Sequence, residues 1–148
     1  VKRGAPLKRH KPLRTSREKR TGRRDTGPAR PTRLTVLERD EYRCSVCGQS
    51  VLEIPFNIHH RRNRGAGGSS DPAINAPSNL LTVCGTGTTG CHGWIGSSPA
   101  EALEHGYTVS LNSREATTDV PVVHAVHGVV YLLDDGALRL PPEWGGAA

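Results

Sequence analysis

Methionine is absent from this 148-residue chain, and aromatic residues are scarce: one Phe, two Trp and three Tyr, 4% of the sequence. The missing methionine fits either a GTG start or a trimmed N-terminus. Hydrophobic residues reach only 34%. So little apolar material excludes a large core, and a small domain of this kind needs a further staple such as a structural metal. No apolar run approaches the ~18 residues of a membrane-crossing helix. No apolar segment follows the basic start, which speaks against a secretory signal peptide. The expected location is therefore the cytoplasm. Thiols stay reduced there, and four cysteines more often bind metal than form disulfides.

Acidic residues are what the first stretch lacks. Residues 1–30 hold two of the 14 Asp/Glu against twelve of the 20 Lys/Arg, a local charge of +10, and the rest of the chain carries −4. Beyond Val1, Leu7 and Leu13 almost nothing there is apolar. Residues 1–31 read as a disordered basic arm. Such an arm either neutralises nucleic-acid phosphates, releasing their counterions, or remains a solvated tail.

What the chain does have is a concentration of thiols and imidazoles between Cys44 and His92. All four cysteines lie there, with three of the seven histidines. Cys44 and Cys47 form a tight CxxC pair, and Cys84 and Cys91 bracket a Gly/Thr-rich turn. Four thiolates suit tetrahedral zinc, and such a closed set is structural rather than catalytic. The alternative to this staple is a set of free buried cysteines, and the staple is the expectation.

The elements follow from caps and periodicity. Thr32 to Tyr42 is a helix candidate that Thr32 or Thr35 could cap, with Leu34 and Leu37 at helical spacing. Phe56 to His60 alternates as a strand does, so His59 and His60 point to opposite faces. Arg61 to Ser78 is a long loop, and loops of that length are usually functional or disordered. Leu80 to Val83 is a second strand, and His92 to Ile95 starts a short helix. Ser98 caps a further helix, with Pro99 at its first position, Glu101 completing a capping box and Gly106 as stop. Strands are expected at Tyr107–Leu111, Val120–Val123, Val129–Leu133 and, after the Asp134-Asp135-Gly136 turn, Ala137–Leu140.

If the Cys84–Cys91 turn folds back over the hairpin, His92 comes near the end of the first strand. Two imidazoles could then hold a divalent metal. The other histidine of the His59–His60 pair, on the opposite face, would be free as a base near neutral pH. The bland alternative makes one of the pair structural and His92 a surface residue. Arg61, Arg62 and Arg64 are candidates for phosphate contacts, or simply a solvated loop face.

These residues resemble a known family. Val36 to Ile95, about 60 residues, is similar to the HNH endonucleases, the ββα-metal nucleases, in the zinc-stapled form common in bacteriophage genomes. The resemblance rests on Glu38-Arg39-Asp40-Glu41-Tyr42-Arg43-Cys44 with Cys47-Gly48, then Ile58-His59-His60-Arg61-Arg62, Gly67-Gly68-Ser69, Asn79-Leu80-Leu81-Thr82-Val83-Cys84 and Cys91-His92-Gly93. It implies that His59 and His92 bind the catalytic metal, that His60 is the general base, and that Asn79 pins the loop and helps orient that base. A turn-capping role for Asn79 is compatible with this. Many relatives carry a further histidine four residues after the last motif histidine; here that position is Gly96.

The resulting expectation is an α+β fold, a treble-clef-like ββα-metal unit with a structural zinc on Cys44, Cys47, Cys84 and Cys91. The arm would span 1–31, the nuclease domain 32–97, a C-terminal helix and β-strand extension 98–140, and a frayed tail 141–148. The implied activity is hydrolysis of DNA phosphodiester bonds with Mg²⁺, Mn²⁺, Ni²⁺ or Zn²⁺ at the catalytic site. Implied partners are DNA and, for a phage protein in a bacterial host, terminase or other packaging proteins; no membrane partner is expected. The rivals are a non-catalytic zinc module that binds DNA and a zinc-stabilised packaging accessory.

Overall fold

The computed structural model describes residues 27–65, 69 and 71–142. The basic arm, up to residue 26, lies outside the described residues, as do Gly67 and Gly68 of the long loop and residues 143–148 of the expected tail. The remainder is a small mixed α+β domain with three α-helices and two antiparallel sheets.

The first helix, α1, spans Arg30–Arg39. It starts two residues before Thr32, with Ala29 at the N-cap and Pro31 in the first turn, where a missing N–H costs nothing. The expected threonine cap is not formed: the Thr35 hydroxyl instead donates to the Pro31 carbonyl one turn back. α1 stops short of Tyr42 because Glu41 and Tyr42 both turn left-handed, at φ 55° and 54°. That turn returns the Tyr42 N–H to the Leu37 carbonyl and delivers the chain into Cys44.

Strands β1 (Phe56–His60) and β2 (Leu80–Cys84) pair antiparallel, with His59 opposite Leu81 and His60 opposite Leu80. β2 is buried along its whole length. One face packs against α1 through Val36, Ile58 and Leu80. The other carries Leu81 and Val83 into the main core, where helix α2 (Gly90–Ser97) contributes Ile95. A two-sided strand explains the near-continuous apolar run LLTVC. The loop between the strands contains two 3-10 turns, Pro72–Asn75 and Pro77–Asn79.

After α2 comes α3 (Pro99–Glu104). Pro99 takes its first turn as expected, but Ser98 makes no side-chain cap bond, so the capping box is not formed. Tyr107–Leu111 is not a strand. It is an irregular segment that buries Tyr107 and Val109, and its Val109 N–H donates to the Arg61 carbonyl. A 3-10 turn at Thr117–Asp119 leads into β3 (Val122–His124), β4 (Gly128–Leu132) and β5 (Leu138–Arg139), in that order across a second sheet.

One carboxylate joins these parts. Asp40 is fully buried and accepts from Arg39 Nε (2.7 Å), Ser45 Oγ (3.1 Å), the Thr82 N–H (2.8 Å) and His124 Nε2 (3.2 Å). The Val126 N–H donates to His124 Nδ1, which fixes that ring as the Nε2–H form facing Asp40. α1, the CxxC turn, β2 and β3 therefore meet on one side chain. Burial alone would raise the Asp40 pKa, but the His124 hydrogen bond and the Arg39 charge and hydrogen bonds outweigh it, lowering it from 3.8 to about 2. Asp40→Asn should cost ~3–5 kcal/mol, because it leaves a buried guanidinium without its counter-charge. Since the folded pKa is depressed, the carboxylate's contribution is complete above pH 4 and lost as pH falls toward 2. Denaturant melts should show the gap between parent and Asp40→Asn closing over that range; equal stability at pH 7 would refute this role.

Candidate functional site

The four cysteine sulfurs lie within 4.8 Å of one another, close enough to hold one metal ion. Cys44 and Cys47 come from the turn after α1, Cys84 from the end of β2 and Cys91 from the first turn of α2. Cys47 and Cys84 sulfurs are 3.8 Å apart, far too long for a disulfide. It matches the ~3.8 Å edge of a tetrahedron whose metal–sulfur bonds are ~2.3 Å. Burial, and then the neighbouring sulfurs, push the Cys91 thiol up, and burial pushes Cys44 up. On Cys84 burial is outweighed by hydrogen bonds from the Cys91 backbone and from the other thiols, so its pKa falls. Sulfurs this crowded can all ionise only around a cation.

The turn that brings Cys91 back is held by glycine. Gly85 sits at φ 90°, and a side chain there would overlap the Thr89 carbonyl. At Gly93 a Cβ would lie 2.5 Å from the Thr88 backbone. The close fold of this loop on the start of α2 is what carries His92 toward β1.

His59 and His92 meet edge to face with ring centres 5.2 Å apart. A metal ~2.1 Å from a ring nitrogen lies ~3.2 Å from that ring's centre, so two rings on one ion stand ~4.5–5.3 Å apart. An ordinary edge-to-face contact has the same spacing. Two further features fit a metal. His59 Nε2 donates to the Tyr107 carbonyl at 3.1 Å, the kind of contact that orients a ligating imidazole and leaves Nδ1 as its donor. His92 Nδ1 is buried with no hydrogen-bond partner among the described residues. Burial, and then His92, lower the His59 pKa to about 4; burial lowers His92 too. Both rings are neutral at pH 7, as metal ligands must be. No third His, Cys, Asp or Glu joins them among the described residues.

His60 faces the other way. Its Nε2 is 2.9 Å from Asn75 Oδ1, in the first 3-10 turn of the loop. Burial lowers its pKa, Asn75 opposes this, and the Arg64 charge adds to the lowering. Asn79 is buried beneath. Its Oδ1 accepts the Arg62 N–H (2.6 Å), and its Nδ2 donates to the Ile74 carbonyl (2.8 Å) and the Arg62 carbonyl (3.2 Å). It thus ties the exit of β1 to the turn that carries Asn75.

The arginines separate. Arg61 is a correction to the expected phosphate contact: it is 1% exposed. Its guanidinium donates to the carbonyls of Gly106 (2.7 Å), Ser78 (3.0 Å), Thr117 (3.0 Å) and Val120 (2.7 Å). Burial, then Arg39 and Arg62, lower its pKa to about 10, so it remains charged. It clamps the C-terminal segment onto β1. Arg62 is half-buried and reaches the Glu115 carbonyl at 2.6 Å. Of the three, Arg64 is the one whose charge acts on His60.

Two contributors were missed by sequence reasoning. Asn75 lies in what reads as featureless loop, although its Pro72 start and Asp71 cap are a 3-10 signature. Tyr107 acts through a backbone carbonyl, which carries no residue-type signal.

Compared with known proteins, the chain matches no family model, no curated protein and no solved structure. The resemblance to HNH endonucleases rests on the motif residues alone.

Proposed function

We propose that this chain is a metal-dependent DNA endonuclease of the HNH type, with the four cysteines holding a structural zinc. The observation that carries the reading is the divergence of two adjacent histidines. His59 turns to His92 with a neutral ring nitrogen available, while His60 turns to Asn75 on the opposite face. A binding module needs neither arrangement.

His59 and His92 would hold a divalent metal. When bound, it supplies Lewis-acid stabilisation of charge on the scissile phosphate and the leaving 3′ oxygen. His60, neutral at pH 7, accepts a proton from the attacking water as the water oxygen bonds to phosphorus. The bond from phosphorus to the 3′ oxygen breaks, and the leaving oxygen takes a proton from solvent water, giving 5′-phosphate and 3′-hydroxyl ends. Asn79 keeps β1 and the loop in register, and Arg64 adds positive charge beside the base. A plasmid nicking assay with Mg²⁺, Mn²⁺ or Ni²⁺, run beside His60→Ala, tests the reading. Nicking that survives this substitution unchanged would refute it.

The non-catalytic DNA-binding zinc module is favoured by one observation, the lack of a third imidazole beside His59 and His92 among the described residues. Gly96 stands one helical turn after His92, and a Cβ added there meets nothing within 4 Å among the described residues. Gly96→His should therefore fold normally and tighten Mn²⁺ or Ni²⁺ binding at least ~10-fold, as an added imidazole ligand would. Calorimetry showing no gain would mean that His92 does not face an ion.

A further inference from the structure

We infer that Asn75 is a positioning residue for His60, holding its ring as the Nε2–H tautomer so that Nδ1 is the nitrogen that accepts a proton. This deepens the nuclease reading and rests on it. An amide oxygen can only accept, so a ring nitrogen 2.9 Å from Asn75 Oδ1 must donate. In a neutral imidazole the lone pair then resides on the other nitrogen. An Asn75 turned to present its NH₂ would enforce the opposite tautomer and leave an N–H, useless as a base, on Nδ1.

Asn75 is well placed to do this because its turn is braced from several sides. Asp71 caps it by accepting the Ala73 N–H at 2.9 Å. Ile74 is buried, and its carbonyl takes the Asn79 Nδ2 bond. The Asn79 N–H returns to the Ala76 carbonyl at 2.9 Å. The buried asparagine thus acts on the base at one remove: Asn79 fixes the turn, the turn fixes Asn75, and Asn75 fixes the ring. A rotamer held by such a chain loses little entropy when the reaction begins.

The test uses the full chain and three versions of position 75. Asn75→Ala removes the acceptor. Asn75→Asp keeps an acceptor and has no donor to offer. With saturating Mn²⁺ and plasmid DNA, Asn75→Ala should lower kcat by ~10–100-fold, as loss of such an orienting partner commonly does, with KM and Mn²⁺ affinity unchanged. Asn75→Asp should stay within a few-fold of the parent. Long-range ¹H–¹⁵N NMR of labelled protein should show His60 as the Nε2–H form in the parent and as a mixture in Asn75→Ala. The tautomer spectrum is read without any activity, so it reports even where a variant cuts poorly. A parent in the Nδ1–H form overturns the proposal, as does Asn75→Asp as slow as Asn75→Ala, or Asn75→Ala at the parental rate. A parent that leaves DNA intact with every metal refutes the nuclease reading itself, and with it the catalytic role of Asn75.

Discussion

His60→Ala should bind Mn²⁺ or Ni²⁺ as the parent does while nicking falls ~10²–10⁴-fold, the usual loss for a general base. His59→Ala should behave differently although it is the adjacent residue. Its Nε2 is anchored to the Tyr107 carbonyl and its ring lies against His92. Removing it should weaken metal binding, and higher metal concentration should recover part of the rate. The split follows from the strand: neighbouring side chains leave β1 on opposite faces, one toward α2 and the other toward the loop. Neither substitution touches the Cys cluster or Asp40, so both variants should keep the parental melting temperature to within a few degrees. Calorimetry separates binding from turnover. If His60→Ala abolishes metal binding and His59→Ala does not, the two roles are exchanged. If both bind metal and nick DNA as the parent does, the nuclease reading fails.

The parts of the fold that could be read in the sequence are those where side-chain type reports environment directly. FNIHH alternates, LLTVC does not, and these become a half-buried strand and a two-sided buried strand. Four cysteines in two close pairs come together as the composition required. Reading failed where the backbone decides. α1 ends at Arg39 because two non-glycine residues adopt positive φ, which no propensity scale anticipates. Tyr107–Leu111 has the alternation of a strand but finds no strand partner among the described residues, and its backbone groups bond to His59, Arg61 and Ala102 instead. Arg61 is the clearest case. A charge next to a motif reads as a surface group, yet its partners are carbonyls 17 to 60 residues away. Burying a guanidinium is tolerable only because several oxygens meet it, and that set exists only once the C-terminal segment has folded over β1. The extension is therefore part of the site's support: Tyr107 orients His59, and Gly106, Thr117 and Val120 hold the residue after His60.

Cys84→Ser should unfold the domain rather than merely slow it. Cys84 closes β2, where it pairs with Phe56, and its sulfur lies 3.8 Å from that of Cys47 in the turn after α1. The proposed zinc would thus join the two ends of the fold. Structural zinc contributes ~10–16 kcal/mol in small zinc-finger peptides. A domain of ordinary size is stable by only ~5–15 kcal/mol, and the 34% hydrophobic content here leaves little else to make up the loss. Parent protein should carry one zinc per chain by elemental analysis and melt cooperatively. Cys84→Ser should retain well under half of that zinc and show no cooperative transition at room temperature. The effect reaches the histidines as well. Cys91 and His92 are neighbours, so releasing Cys91 from the cluster releases His92 from His59. Added Mn²⁺ should therefore fail to restore nicking in Cys84→Ser, whereas it should partly restore His59→Ala. Parent protein free of zinc, or a Cys84→Ser variant with the parental melting temperature, would show that apolar packing alone holds β2 to the CxxC turn. The cysteines would then be four thiols that happen to sit together.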